Sequence, residues 1–340
     1  MKNKPELVFI LTVDTEEEWD WDGPFPEKDF SVKNLVQIPA FQSFCDEHGI
    51  RPCYFVDYAA AKGAIENKVF ENAIKQNTCE LGAHLHPWAN PPYFDKPNEA
   101  NSHVVNLPIE QVEAKLDELV SVFVTEFDYQ PSSFRTGRWG ISEAIMQLLW
   151  SRGFTVDSSV YPYYSNEFFS CQGSPIGAYW PDTSNVLKAG EQRNIMEIQA
   201  SVGFNRKYFS LANAVHQAAE SAPLKYVKTV SMLWHSAMLR KIYMSPEVME
   251  AQDMVALARK MHENGSPYIN MFFHSSNLIA NGTGFFNVED PFEVICSRIS
   301  QVINLLSEDY TLNFMTLKEA QVYFSQNPTI LNTHDYCYKT

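Results

Sequence analysis

An alternation of short apolar runs with amphipathic helical patterns is the feature of this chain that most constrains its fold. The runs have the length and composition of buried strands, and stretches with helical spacing lie between them. The predicted strands cover residues 7–13, 53–56, 80–86, 133–136, 154–158 and 268–274. The predicted helices cover residues 32–48, 68–76, 108–127 and 142–152, and two more open at Asp290 and Thr316. Strand followed by helix, about six times over, predicts parallel strands joined by crossover helices.

One segment interrupts this alternation. Residues 204–265 have a mostly helical pattern, with a long helix predicted from Ser245 to near Gly265, and we interpret the segment as an insertion or cap. The stretch 161–192 is rich in Tyr, Ser, Pro and Gly and is predicted to be loop. We expect residues 1–340 to form a single domain that carries this insertion.

Composition excludes several classes of protein. Hydrophobic residues make up 45% of the chain, which excludes a disordered, collagenous or coiled-coil protein. The 26 basic and 41 acidic residues give a formal net charge of −15, which disfavours nucleic acid and anionic membrane surfaces as partners. No stretch of the sequence approaches the length of apolar chain that spans a bilayer, so no membrane insertion is expected.

The N-terminus and the cysteines predict a cytoplasmic protein. The apolar run that follows the basic start is too short for the core of a signal peptide. The six cysteines are spread along the chain without a CxxC pair, as expected for thiols that stay reduced. A homo-oligomer remains open at this point.

Polar and ionisable residues gather where the predicted strands end. Because α/β barrels build their active sites at the carboxyl ends of parallel strands, we expect these side chains to share one site. They are Asp14, Glu16, His84, His86, Arg135, Asp157 and His274.

Two of these residues form the spacing His84-Leu-His86. Histidines two apart on a strand point to the same face, and two adjacent imidazoles are what Zn²⁺ or a similar divalent ion requires. Two packed histidines in a core or on a rim are the alternative, and the position at a strand end before Pro87 favours the metal.

The acidic run after the first strand supplies candidate oxygen ligands. Asp14 and Glu16 share a face if the strand continues, and a carboxylate is the usual third ligand beside two histidines. A second carboxylate could instead take a proton from water, so Asp14 is predicted as either base or ligand. Glu17 and Glu18 are predicted to belong to a solvated acidic turn.

Other candidates for catalysis lie on later strands. Arg135 is placed to hold a carboxylate ionised, and Asp157 to orient a histidine or to cap the next segment. His274 suits a general acid that protonates a leaving amine, with a further metal ligand or a core histidine as alternatives. Arg138 is a candidate contact for an anionic substrate group or a peripheral ion pair.

Aromatic residues lie near several of these motifs. Trp88 and Trp139 are the candidates for stacking against a sugar ring, although ordinary packing is the better explanation for any single aromatic residue taken alone.

Taken in order, the motifs resemble those of the polysaccharide deacetylases, the NodB-homology group or carbohydrate esterase family 4. The similar segments are TVDTEEE (12–18), GAHLHPW (82–88), FRTGRWG (134–140), VDSSVYPYY (156–164) and FFHSSNL (272–278). The resemblance implies a distorted, incomplete (β/α)7-type barrel. It also implies a divalent metal, most often zinc, that activates water to hydrolyse an N-acetyl group on a sugar.

The resemblance further implies a role for each matched residue. His84 and His86 would bind the metal, Asp14 would be base or ligand, and Arg135 would hold the base. His274 would be the acid, with Asp157 behind it.

Two departures from the family pattern mark a divergent branch. Thr15 stands where the family has a second aspartate, so one role passes to another group such as Glu16. The family spaces its two histidines four apart, whereas here they are two apart and Trp88 takes the place of the second.

The leading hypothesis is a metal-dependent hydrolase of a non-peptide C–N bond that deacetylates an N-acetyl sugar of a cell-surface polysaccharide or its precursor. One alternative is a hydrolase of a small amide or cyclic ureide, which this type of barrel also hosts. The other is a catalytically degenerate domain that binds sugar or acts as a scaffold.

Overall fold

The computed structural model describes residues 4–222, 226 and 228–328 of the chain. Its strands are β1 (Glu6–Thr15), β2 (Cys53–Val56), β3 (Glu80–Leu85), β4 (Ser133–Thr136), β5 (Val156–Asp157), β6 (Pro181–Asp182), β7 (Asn185–Ala189), β8 (Met196–Glu197), β9 (Val202–Phe204), β10 (Lys241–Tyr243), β11 (Tyr268–His274) and β12 (Thr311–Phe314). Its α-helices are α1 (Ile38–Glu47), α2 (Tyr58–Asn67), α3 (Glu71–Gln76), α4 (Ile109–Phe127), α5 (Glu143–Ser151), α6 (Phe209–Glu220), α7 (Thr229–His235), α8 (Ala251–Glu263), α9 (Pro291–Asp309) and α10 (Leu317–Gln326).

The main sheet is parallel and curls into an incomplete barrel. Its strands follow the order β11-β1-β2-β3-β4-β5-β8, and every neighbouring pair is parallel. β12 pairs with the first half of β1, whereas β2 pairs with its second half. The predicted fold class, an incomplete (β/α)7-type barrel, is confirmed.

β1 shows how the alternation of side chains along a strand divides the core in two. Leu7, Phe9, Leu11 and Val13 pack between the sheet and the outer helices. The residues between them face the barrel interior, where Val8 and Ile10 belong to a second apolar cluster that includes Leu317, Ala320 and Phe324 of α10. α10 therefore closes one end of the barrel, and the polar residues that follow on the same face of β1 lie towards the other end.

Several helix termini have the residues predicted for them. The side chain of Ser142 accepts a hydrogen bond from the backbone N–H of Ile145 and caps α5. Thr316 and Glu319 form a reciprocal capping box at the start of α10. Gly49 follows α1 with a φ of +69°, a conformation that glycine adopts without strain.

The segment 204–265 differs in part from its prediction. It contains α6, α7 and α8, but also β10, which pairs in antiparallel fashion with β9. The predicted start of the long helix at Ser245 is wrong, because α8 begins at Ala251 and a turn precedes it. α8 packs against β11 and α9 and so takes the position of a barrel helix.

The predicted loop 161–192 also contains regular structure, because β6 and β7 pair within it as a short antiparallel hairpin.

The five cysteines within the described ranges are buried free thiols, and Cys337 lies outside those ranges. Among the helices that the structure describes, none is long and apolar enough to cross a membrane.

Candidate active site

A cavity of about 270 Å³ opens at the end of the barrel opposite α10. Its walls come from the ends of β1, β3, β4 and β11 and from the loops that follow them. The lining residues are Asp14, Glu16, Trp19, Trp21, His84, His86, Trp88, His103, Thr136, Arg138, Trp139, Tyr164, Asn166 and His274. All the candidate residues named from the sequence lie on this list except Arg135 and Asp157.

Glu16, His84 and His86 form a buried group with the composition of a metal site. One ligand atom from each lies within 4.8 Å of the others. The Oε2 atom of Glu16 is 3.5 Å from Nε2 of His84 and 3.2 Å from Nε2 of His86. The structure thus brings together the two histidines and the carboxylate that the sequence placed on separate strands.

The outward-facing nitrogens of both imidazoles are held by oxygen atoms. Nδ1 of His84 lies 3.0 Å from the backbone carbonyl of Arg135, and Nδ1 of His86 lies 3.1 Å from a carboxylate oxygen of Glu17. Because these oxygens accept hydrogen bonds, each Nδ1 must carry the proton, and both Nε2 atoms turn towards Glu16. This arrangement of ligands and supporting oxygens is typical of histidine-ligated metal sites.

The donor set fits a divalent cation. In a neutral imidazole protonated at Nδ1, Nε2 carries a lone pair, and two such lone pairs face the Glu16 carboxylate across 3.2 and 3.5 Å. A cation placed among these three atoms would be attracted by both lone pairs and by the carboxylate charge, and would remove the repulsion between them. Two nitrogens and a carboxylate oxygen are ligands that Zn²⁺ accepts.

Glu17 was predicted to lie in a solvated turn, and this is wrong. Its side chain is completely buried, accepts a hydrogen bond of 2.6 Å from Nε1 of Trp88 and supports His86. Asp57 lies beside it, and burial together with the charge of Glu17 raises the pKa of Asp57 well above its usual range. Strand periodicity cannot reveal this role, because Glu17 lies beyond the end of β1.

Asp14 is held by Arg135. Nη1 of Arg135 donates to Oδ1 of Asp14 at 2.6 Å, and Nη2 donates to the hydroxyls of Thr12 and Ser158. Nε donates to the backbone carbonyl of Ser158, and the guanidinium lies 4.4 Å from the centre of the Phe55 ring. Arg135 is fully buried, so its geometry fixes the rotamer of Asp14.

His274 lies near Oδ2 of Asp14, the carboxylate oxygen that Arg135 does not bind. β11 is the direct neighbour of β1, with Asp14 and His274 in register, and Nε2 of His274 is 3.8 Å from Oδ2 of Asp14. Nδ1 of His274 is 2.7 Å from Glu247, a residue that the sequence did not single out. Burial alone would lower the pKa of His274, but the charges of Glu247, Glu16 and Asp14 raise it to about 10.

The predicted contact between Asp157 and His274 is wrong. Val156 and Ser158 face the barrel interior, so the side chain of Asp157 between them points to the opposite face. There it accepts a hydrogen bond of 2.6 Å from Ser159 and lies beside Glu197 of β8.

The residues predicted to contact substrate lie around the cavity. Trp88 stacks on His86 with ring centres 4.3 Å apart, and Trp139 stacks on Tyr161 at 4.4 Å. Arg138 reaches the cavity and forms an ion pair of 2.8 Å with Glu99.

Gly137 explains why the arginine motif contains glycine. A Cβ atom at this position would lie 2.2 Å from Cδ2 of His86 and 2.7 Å from the backbone oxygen of Leu85. The loop after β4 can therefore approach the candidate metal ligands only with glycine here.

A scan against protein-family models finds no match for this chain, and no curated protein matches it in sequence. Solved structures do match. A candidate polysaccharide deacetylase from Mycobacterium smegmatis superposes with a TM-score of 0.56 at 11% identity, over 96% of this chain and 92% of the other. A candidate glycoside hydrolase/deacetylase from Parabacteroides distasonis gives 0.58 at 12% identity, over 95% and 72%. The resemblance to polysaccharide deacetylases is thus confirmed at the level of the fold, at the low identity of a divergent branch.

Proposed function

We propose that this protein is a metal-dependent hydrolase that removes the acetyl group from an N-acetyl sugar of a cell-surface polysaccharide or its precursor. The observation that carries the proposal is the convergence of Glu16, His84 and His86 on one point, with Asp14 and His274 beside it. The fold shared with deacetylases supports the same reaction.

Glu16, His84 and His86 would hold the cation, for which Zn²⁺ is the best candidate. When bound there, such an ion supplies a Lewis acid that polarises the amide carbonyl and water. Thr15 offers no carboxylate, and its hydroxyl donates to the backbone carbonyl of Val13. Glu16 would therefore supply the second carboxylate, which the family has at the position of Thr15 and this chain lacks there.

The remaining polar groups are placed to move protons. Asp14 is the general base that takes a proton from water, and its hydrogen bond from Arg135 holds the carboxylate in place beside the candidate metal site. His274 lies on the other side of Asp14 and is the general acid that gives a proton to the leaving amine. The charge of Glu247, 2.7 Å from Nδ1, raises the pKa of His274 and so favours the protonated imidazole that this role requires.

The walls of the cavity support a carbohydrate substrate. Four tryptophans line it, namely Trp19, Trp21, Trp88 and Trp139. Indole rings suit the apolar faces of sugar rings, and the four together line more of the wall than a small amide or ureide would cover.

The proposal is tested by metal analysis and by acetate release from N-acetylhexosamine derivatives, with cyclic ureides as competing substrates. We expect about one tightly bound divalent ion per chain and turnover of the acetylated sugars. The double variant His84→Ala/His86→Ala should lose both. The matched control His48→Ala changes a histidine outside the cavity and should keep both.

A folded wild-type chain that binds no divalent metal would contradict the proposal and favour a degenerate sugar-binding or scaffold domain. Hydrolysis of ureides without acetate release would favour the small-amide alternative.

A further inference from the structure

We infer that Glu247, which the segment 204–265 brings to the barrel mouth, is the positioning residue of the general acid His274. The inference rests on the proposed function, because it assigns to Glu247 the orientation of a group that acts in that reaction. The segment 204–265 would thus contribute a side chain to the active site.

Both carboxylate oxygens of Glu247 are engaged by the same short piece of chain. Oε1 lies 2.7 Å from Nδ1 of His274, and Oε2 accepts hydrogen bonds from the backbone N–H of His274 at 3.0 Å and from Nδ2 of Asn277 at 2.8 Å. The side chain of Glu247 is only 2% exposed. A carboxylate with three such partners has one rotamer, and it fixes the imidazole relative to the backbone of β11.

This contact decides which nitrogen of His274 faces the reaction. A carboxylate oxygen accepts hydrogen bonds, so Nδ1 must carry a proton and Nε2 is the atom that points to Asp14. The indole of Trp21 packs edge-on against the imidazole with ring centres 4.9 Å apart and limits its rotation. Proton transfer to a leaving group from Nε2 therefore depends on Glu247 for its geometry.

The turn that carries Glu247 is joined to the barrel rather than free. The backbone carbonyl of Ser245 accepts hydrogen bonds from the N–H groups of Val248 and Met249, which closes the turn. Arg298 of α9 donates to the carbonyl of Pro246 at 2.8 Å. Phe272 of β11 donates its backbone N–H to the carbonyl of Met244 at 3.0 Å, so the segment and the strand that bears His274 are linked directly.

Glu247 is distinct from the other acidic groups around His274. Asp14 and Glu16 also raise its pKa by their charge, but Asp14 is bound to Arg135 and Glu16 to the two histidines. Glu247 is also separate from Asp157, which the family pattern would place behind this histidine and which here lies on the opposite face of its strand.

The variants Glu247→Ala and Glu247→Gln test the inference, with Glu250→Gln as the matched control. Glu250 lies three residues away, is exposed and pairs with Arg298, so its change removes the same charge without touching His274. We expect Glu247→Ala to lower kcat by about 10²-fold, with KM and metal content unchanged. Glu247→Gln keeps an acceptor for Nδ1 and should lose less, and Glu250→Gln should keep wild-type kcat.

A readout independent of activity comes from histidine-selective ¹⁵N NMR. The wild-type protein should show a slowly exchanging Nδ1–H resonance of His274, assigned by its loss in His274→Gln. The resonance should disappear in Glu247→Ala, persist with a shift in Glu247→Gln and be unchanged in Glu250→Gln.

The two proposals fail in different ways. Absence of the Nδ1–H resonance in the wild type, or wild-type kcat in Glu247→Ala with metal bound, would overturn the positioning role and leave the hydrolase proposal standing. Absence of any deacetylase activity would overturn the hydrolase proposal, and the NMR result would still decide whether Glu247 holds His274.

Discussion

Asp14 and Glu16 lie two residues apart at the end of β1 and on the same face, but their surroundings differ. Asp14 is bound by the buried guanidinium of Arg135, whereas Glu16 faces the histidines. Burial alone would raise the pKa of Glu16, but the positive charge of His274 holds it below its usual range. Such a division suits one carboxylate as base and the other as ligand.

Asp14→Asn separates the two roles that remained open for this residue. We expect the variant to bind metal as the wild type does, because Glu16 and the two histidines stay in place. Turnover should fall by about 10²-fold or more, since asparagine cannot accept the proton. Metal content and kcat measured on the same preparation check this.

Asp22→Asn is the control for Asp14, because Asp22 is exposed in the loop after β1. Loss of metal from Asp14→Asn alone would make Asp14 a ligand and would refute its assignment as the base.

At the scale of elements, the pairing of β5 with β8 places two buried acids side by side. Asp157 and Glu197 are register partners in parallel strands, and both are about 1% exposed. Burial raises the pKa of Asp157, and burial together with the charge of Asp157 raises that of Glu197 well above its usual range. The folded pair therefore keeps a proton that the unfolded chain releases.

This pair should make the stability of the fold depend on pH. Below the ordinary carboxyl pKa, both the folded and the unfolded chain are protonated and the pair has no effect. As the pH rises above about 4, the unfolded chain loses protons that the folded pair retains, so the free energy of unfolding falls until the raised folded pKa is reached. Glu197→Gln removes this dependence while keeping a donor for Asp157.

Urea denaturation at pH 5 and pH 8 measures the difference. Relative to Glu197→Gln, the wild type should lose stability between these two pH values. Glu191→Gln, which changes a fully exposed glutamate before β8, should follow the wild type. A constant difference between wild type and Glu197→Gln would mean that the pair does not share a proton.

At the scale of the whole molecule, the candidate metal site joins distant parts of the chain. Glu16 follows β1, whereas His84 and His86 lie at the end of β3, with β2 between the two strands in the sheet. An ion bound by all three stabilises only the folded chain, because the unfolded chain does not hold them together.

Metal removal should therefore lower the melting temperature. An ion present at about 100 times its Kd adds about 2.7 kcal/mol to the free energy of unfolding. Scanning calorimetry with Zn²⁺ and with a chelator should show this shift for the wild type and not for His84→Ala/His86→Ala. An equal shift in the double variant would mean that the ion binds elsewhere.

Local patterns predicted much of the fold and part of the site. β2 and β11 have the bounds expected from their apolar runs, and Ser142 and Thr316 cap the helices expected to follow them. The pair His84 and His86 converges on Glu16, as its spacing on a strand indicated. These features depend on residues close together in the sequence, whose geometry is set by backbone periodicity and local hydrogen bonds.

Other features depended on contacts that no local pattern contains. Glu17 and His86 are 69 residues apart, and Glu247 and His274 are 27 apart on different elements. The place of Asp157 near the end of a predicted strand indicates a role in the site, but Val156 and Ser158 on either side of it face the barrel interior, so its side chain lies on the opposite face beside Glu197.

The sequence by itself determined the parallel barrel and the strand ends at which its polar residues gather, because side-chain alternation and helix capping act over a few residues. Only the tertiary structure decided which carboxylate supports which histidine. That choice depends on strand order, on the path of the segment 204–265 and on the burial of charges that become stable only beside a partner from a distant part of the chain.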